Sequence, residues 1–247
     1  MEFRICFGFR YSNSGFVLDG GRSISRRVEG KRIGLFGGTF NPIHKGHLRG
    51  AEEIREAFRL QEVIFIPAAI PPHKGMKDVV EVRHRFEMVR LATLTNPHFR
   101  ASDVELKRPG RSYSIETLRY FLEGCPGCSL FFILGSDAFM EIETWKDFQS
   151  LFSVSNFVVM ARPGFHETLL GSQLPKALLP SFRYDPEGKA WIHRSGHTLH
   201  FEEITFLDIS STKVRELIER GKSVRYLVPA EVEAYVREHG LYRKKGG

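Results

Sequence analysis

Gly37-Gly38-Thr39-Phe40-Asn41-Pro42-Ile43-His44-Lys45-Gly46-His47-Leu48 stands between a short apolar run, Ile33-Gly34-Leu35-Phe36, and an amphipathic pattern that begins at His47. The apolar run reads as a strand over 33–36. The pattern after it reads as a helix over 47–60, with Leu48, Ala51, Ile54 and Phe58 on one face. Two glycines, a hydroxyl and two imidazoles therefore meet at one strand-to-helix junction. Gly37, Gly38, Thr39 and Phe40 offer consecutive backbone N–H groups that small side chains leave open, a cradle suited to an anion. His44 and His47 lie three apart around a turn and can face the same phosphate, where a charged or donor imidazole would stabilise developing negative charge.

The same alternation of strand and helix continues outward from this junction. Val63-Ile64-Phe65-Ile66 reads as a buried strand, 82–95 as a helix with Phe86, Val89 and Thr93 inward, and the segment around 99–106 as a weaker strand. Ser114 is placed to cap a helix over 115–123, and Leu130-Phe131-Phe132-Ile133-Leu134 is the clearest strand of the chain. Further strands are expected over 156–160 and 198–207, with helices over 213–220 and from Pro229 to Gly240. Residues 165–197 are ambiguous, with a helix placed near 166–179. Repeated β-α units imply an α/β fold, a parallel sheet with helices on both faces. Its ligand crevice belongs at the carboxyl ends of the strands. There the glycine-histidine run, Gly135-Ser136-Asp137 and Ser210-Ser211-Thr212 are expected to converge.

Composition narrows the class. In 247 residues, 42% are hydrophobic, and no apolar run approaches the ~20 residues of a membrane-spanning helix. The net charge of +7 invites a nucleic-acid partner, but residues 1–31 and the tail Arg243-Lys244-Lys245 each hold +3. Residues 32–242 are left at +1, which excludes a broad basic face and makes any phosphate site local. Residues 1–30, rich in Arg, Ser and Gly and without an apolar signal core, read as a disordered extension or a mis-assigned start. Residues 31–242 read as a single domain and 243–247 as a basic tail. Cys6, Cys125 and Cys128 are too few for a disulfide framework, so the expected compartment is the cytoplasm. The Cys125-Pro126-Gly127-Cys128 loop is then expected to carry free thiols. The triplet Gly221-Lys222-Ser223 lacks the earlier glycine of a phosphate-binding loop, and His193, His197 and His200 are too scattered for a metal reading.

The run His44-Lys45-Gly46-His47 resembles the HxGH signature of the nucleotidyltransferase superfamily, and Ile209-Ser210-Ser211-Thr212-Lys213-Val214-Arg215 resembles its second signature, ISSTxxR. Between them, Pro71-Pro72-His73-Lys74, Arg108 to Ser114, Leu134-Gly135-Ser136-Asp137-Ala138 and Thr144-Trp145 are similar to motifs of bacterial nicotinate-nucleotide adenylyltransferases. They occur in that family's order, and Glu238-His239-Gly240-Leu241-Tyr242 matches its ending. Asn41 stands where that family often has Asp. The resemblance implies a Rossmann-like nucleotidyltransferase fold with a small C-terminal helical part, acting in NAD biosynthesis. The phosphate of nicotinate mononucleotide would attack the α-phosphorus of ATP, giving nicotinate adenine dinucleotide and pyrophosphate. No base is needed, because the nucleophile is already an anion.

The resemblance also implies roles. His47 would serve the α-phosphate, His44 the region of phosphate and Mg²⁺, and Arg215 with Ser211 and Thr212 the departing pyrophosphate, with Ser210 beside them. Gly37, Gly38, Thr39, Phe40, Gly135 and Asp137 would hold ATP, Asp137 near the ribose. Lys74, Ser114, Trp145 and Lys146 would hold the nicotinate nucleotide, Trp145 by stacking and the amides around Ser114 and Lys146 by receiving the carboxylate. No side chain is assigned as a metal ligand; Mg²⁺ comes with ATP. The partners are small molecules, with no nucleic acid and no membrane, and a homo-oligomer is compatible with the sequence. Other transferases of the superfamily, an RNA-binding synthetase relative and an inactive nucleotide-binding scaffold are the competing readings.

Overall fold

In β1 (Arg32–Gly38), Leu35 turns to one face of a sheet and Phe36 to the other, and both are buried. The computed structural model describes residues 30–71, 79–161 and 174–243. The expectations for residues 1–29, for Lys74 and for the tail beyond Arg243 lie outside them. After β1 come α1 (Lys45–Ala57), β2 (Glu62–Pro67), α2 (Val82–Thr93), β3 (Phe99–Ala101), α3 (Val104–Lys107) and α4 (Ser114–Gly124). Then follow β4 (Ser129–Gly135), α5 (Ser136–Met140), α6 (Phe148–Val154), β5 (Asn156–Ala161), β6 (Phe182–Asp185), β7 (Ala190–His193) and β8 (Thr198–Glu203). Two helices, α7 (Ser211–Glu219) and α8 (Ala230–Glu238), close the described chain.

The strands form one eight-stranded sheet in the order β3-β2-β1-β4-β5-β8-β7-β6. From β3 to β8 every pair is parallel, with Leu35 opposite Ile64 of β2 and Phe132 of β4. Apolar residues alternate between two cores, one on each face. Ile64 and Ile66 pack with Ile115, Leu118, Leu151 and Phe152 on the face covered by α4 and α6. Val63 and Phe65 pack with Ile54, Met88, Val89, Val214 and Val232 on the face covered by α1, α2, α7 and α8. The expected parallel sheet with helices on both faces is therefore present. The chain departs from β1 to β2 on one side and to β4 on the other, so β1 and β4 flank the switch point where such sheets bind ligands.

Several local expectations are corrected. Residues 182–193 form an antiparallel hairpin that adds β7 and β6 to the parallel sheet, in a segment whose sequence alternates too irregularly to show it. Of the helix expected near 166–179, residues 166–173 lie outside the described residues, while 174–178 hold turns, with a short 3-10 turn at Leu179–Ser181. The last parallel strand stops at Glu203, freeing residues 204–210 to line a cleft. Ser114 is the first residue of α4 and not its cap; Tyr113 takes the cap position. Cys125 and Cys128, expected as separate free thiols, are brought together across the α4–β4 turn that Gly127 closes at a φ of 83°, their Cα atoms 5.6 Å apart and within the span of a disulfide.

In α2 the buried side is Arg85, Met88, Val89, Ala92 and Thr93, and Phe86 is only half-buried. Arg85, with no exposed surface, occupies a position that the apolar stripe would give to a hydrophobe. Its guanidinium donates to the carbonyls of Val80 (3.0 Å), Thr39 (2.8 Å), Ala68 (2.6 Å) and Ala69 (3.1 Å). Burial lowers its pKa to about 10, so it stays charged at neutral pH. Four carbonyls from the loops after β1 and β2 and before α2 are thus satisfied by one planar fork. Replacing Arg85 by Met should cost about 3 kcal/mol or more, because those carbonyls lose their donor in a dry interior. Urea unfolding of the wild type and the variant checks this; an unchanged midpoint would contradict it.

Candidate active site

The histidine pair is built by the start of α1. His44 is its cap residue and His47 its third position, so their side chains share the helix entrance. The His44 backbone N–H donates to His47 Nδ1 (3.2 Å), an imidazole version of the reciprocal capping that Glu supplies elsewhere. That bond leaves the His47 ring proton on Nε2. The two rings stack 3.6 Å apart at 25°. Gly46 makes the stack possible: a Cβ there would sit 3.1 Å from His44 Nδ1. His44 is buried, its Nδ1 has no hydrogen-bond partner among the described residues, and burial lowers its pKa to about 4. The imidazole of His44 is accordingly neutral at pH 7, which corrects the charged option left by the sequence.

The loop before this pair is fastened from across the molecule. Phe40 takes a left-handed φ of 47° and is buried, with Phe36, Phe65 and His47 around its ring. Asn41 Oδ1 accepts from Val80 N–H (3.3 Å) and from the Tyr242 hydroxyl (2.9 Å). The Asn41 carbonyl accepts from Arg215 Nη1 (2.9 Å), and the Pro42 carbonyl from the Ser211 hydroxyl (2.8 Å). At the start of α7, Ser210 caps the helix by accepting from Lys213 N–H (3.1 Å), while Thr212 Oγ1 accepts from Arg215 Nη2 (3.3 Å). The two signature segments, some 170 residues apart in sequence, are therefore one bonded unit.

A cleft of about 730 Å³ runs along this unit at the carboxyl ends of β1 and β4. Gly37, Gly38, Thr39, Phe40, His44, His47, Gly135, Asp137, Ser210, Ser211, Thr212 and Arg215 all line it, so the expected convergence is present. Phe206 and Leu207, which the sequence did not single out, form part of its apolar wall. A second cavity of about 180 Å³ is lined by Ser114, Trp145 and Lys146 and shares Gly37, Gly38, Thr39, Gly135, Ala138 and Glu141 with the first. Trp145 stands edge-on to Phe132 at 6.1 Å, part core and part wall. Lys146 Nζ pairs with Glu116 (2.7 Å) and lies 4.4 Å over the Tyr113 ring.

Glu105 lines the same small cavity and is buried; its Oε1 accepts from the Thr117 hydroxyl (2.6 Å), and burial pushes its carboxyl up. Ser112 Oγ accepts from the N–H groups of Ala69 (2.8 Å) and Ile70 (3.3 Å), joining the loop after β2 to the approach to α4. Neither residue was anticipated. Their only sequence signal was their place in and beside the Arg108-to-Ser114 segment. Among the described residues no group of three or more His, Cys, Asp or Glu side chains could hold a metal ion, and no helix is long and apolar enough to cross a membrane.

The cytidylyltransferase-like family model matches residues 35–217, the span that contains both signatures and both cavities. A protein of Geobacter sulfurreducens named as a probable nicotinate-nucleotide adenylyltransferase is 47% identical over 215 residues, covering 87% of this chain and all of that one. Its Geobacter metallireducens counterpart is 48% identical over 211 residues, covering 85% and 98%. The chain belongs to the nicotinate-nucleotide adenylyltransferase family. Among solved structures, a nicotinic acid mononucleotide adenylyltransferase of Plasmodium falciparum, determined with NaAD, superposes with a TM-score of 0.65 at 19% identity, covering 86% of this chain and 97% of that one. That likeness shows the shared Rossmann-like nucleotidyltransferase fold. Within the family frame, the large cleft carries both signatures and the small cavity carries the motifs between them.

The state of His44 gives a direct expectation. Its folded pKa near 4 lies below the ordinary 6.5, so the stability it contributes is full above pH 6.5 and is lost as pH falls toward 4. In NMR titration the His44 ring, identified by its loss in His44→Gln, should titrate near 4 and rise when pyrophosphate binds. A midpoint above 6 in the free protein would contradict the burial account.

Proposed function

We propose that the two joined cavities carry out the family's reaction, adenylyl transfer from ATP to nicotinate mononucleotide, with the roles divided as follows. ATP lies in the large cleft, its phosphates over the Gly37–Phe40 turn, and nicotinate mononucleotide enters the small cavity. The two reactants meet at the residues common to both cavities, and that sharing is the observation that carries the reading. A phosphate oxygen of nicotinate mononucleotide forms a bond to the α-phosphorus, the bond to the β-phosphate oxygen breaks, and pyrophosphate leaves with the electron pair. Nothing need be deprotonated first.

Catalysis is then positioning and charge stabilisation. His47 donates through Nε2 to the α-phosphate. His44, neutral and stacked beneath it, holds that ring's orientation and becomes a better proton holder as the polyphosphate arrives. Arg215 and the free N–H groups at the start of α7 take the charge that develops on pyrophosphate. Ser211, whose hydroxyl is spent on Pro42, contributes mainly through its backbone and its fastening of the loop; Thr212 stands exposed beside Arg215. Asp137 is exposed on the rim of the large cleft, where it suits a ribose hydroxyl. Mg²⁺ enters as part of the substrate Mg·ATP. The cleft offers it imidazoles and hydroxyls with few carboxylates, a donor set that leaves the ion on phosphate oxygens.

In the small cavity Trp145 gives the pyridine ring an aromatic wall. Glu116 neutralises Lys146, so the nicotinate carboxylate is received by backbone N–H groups at the start of α4 and near Lys146. With ATP, Mg²⁺ and nicotinate mononucleotide the protein should release pyrophosphate and form nicotinate adenine dinucleotide, followed by chromatography. His47→Ala should lower kcat about 10²- to 10³-fold while the thermal midpoint stays near wild type. No product from the wild type, or an unchanged kcat in His47→Ala, would contradict the reading.

A further inference from the structure

α8 ends where Gly240, at a φ of 59°, turns the chain back, with Gly240 N–H bonded to Arg237 and Leu241 N–H to Val236. The reversal packs Leu241 and Tyr242 against the core on the face of α1, α2 and α7. Tyr242 itself takes a left-handed φ of 63° and reaches back 201 residues to place its hydroxyl 2.9 Å from Asn41 Oδ1. Burial pushes the ionisation of this phenol up, so its proton is retained and available to donate. The guanidiniums of Arg215 and Arg85 both act on it electrostatically. Asn41 is also the residue whose carbonyl anchors Arg215. Hydroxyl, amide and guanidinium therefore form one short chain from the C-terminal segment to the phosphate-binding cleft.

We infer that Tyr242 is a positioning residue for the phosphate site, setting the place of Arg215 through Asn41. Phe40 has left-handed backbone and the loop has no regular ladder of its own, so the Asn41 carbonyl is only as fixed as the groups bonded to it. Val80 N–H, at 3.3 Å, is the longer of the two bonds to Asn41 Oδ1, and the tyrosine is the closer. Without the phenol, Asn41 Oδ1 loses the shorter of these two bonds, and the carbonyl that aims Arg215 gains freedom. The tyrosine does not touch the ligand; its effect passes through the arginine.

This inference rests on Arg215 as the pyrophosphate-binding cation, and the test separates the two. Calorimetric titration of pyrophosphate with Mg²⁺ into wild type, Tyr242→Phe, Arg215→Ala and the double variant measures the coupling directly. Tyr242→Phe keeps the ring and its packing and should weaken pyrophosphate about 5- to 10-fold. In the Arg215→Ala background the same change should cost less than about 2-fold, because the group being aimed is gone. Binding of nicotinate mononucleotide should be unaltered by Tyr242→Phe. Wild-type affinity in Tyr242→Phe, an equal loss in both backgrounds, or a parallel loss of both ligands would overturn the inference. If Arg215→Ala alone leaves pyrophosphate binding intact, the arginine's assignment fails, and the inference with it.

Discussion

One buried guanidinium decides whether this active site has a shape. The loop that follows β1 and lines both cavities has irregular backbone, and the wall of the small cavity follows β2 as another such loop. Neither loop can satisfy its carbonyls from within a helix or sheet ladder. Arg85 does so for both, bonding Thr39 on one side and Ala68 and Ala69 on the other. A lysine could not span them, since it lacks the planar fork. The desolvation cost of a fully buried cation is large and is met here by main-chain carbonyls. Its nearest side-chain influences, Tyr242 and Glu105, act on it weakly and electrostatically.

The rest of the site extends that brace. Asn41 and Pro42 tie the loop to Arg215 and Ser211 on α7, and Tyr242 ties it to the C-terminal segment. Asn41, an amide and not a carboxylate, keeps the hub neutral. It still accepts two hydrogen bonds, but it does not neutralise Arg215. Rigid donors that need no rearrangement as charge develops are the feature of adenylyl transfer that a protein can supply, since the chemistry asks for no base. In the proposed reading the small cavity works by different means, with an aromatic wall and helix N–H groups in place of cations. The division suits one reactant that is mostly phosphate and another that is mostly ring.

The sheet and the signatures were legible because they are local. Continuous apolar runs named β1, β2, β4 and β5, and glycines and hydroxyls after them named the crevice. The hairpin of β6 and β7 was not legible, because its Phe182–Asp185 and Ala190–His193 alternate only in part, and the turn signal Asp185-Pro186-Glu187-Gly188 between them does not by itself name strands on either side. Arg85 was hidden by its type: in a helical stripe a charge is read as solvent-facing, and only the carbonyls of two distant loops make its burial tolerable. Tyr242 was hidden by distance, since nothing in its neighbourhood points to Asn41. The stacking of His44 on His47, and with it the neutrality of His44, followed from Gly46 and the fold of the helix entrance rather than from spacing alone.

The account's central claim is that the two cavities hold the two reactants and meet at Gly37–Thr39 and Gly135, with the histidine pair in the large cleft. A crystal structure with nicotinate mononucleotide and a non-hydrolysable ATP analogue tests it most directly. The account predicts the pyridine ring against Trp145, the α-phosphate within hydrogen-bonding distance of His47 Nε2, and the β- and γ-phosphates beside Arg215. Triphosphate bound away from His47 and Arg215, or a pyridine ring outside the Trp145 cavity, would contradict it.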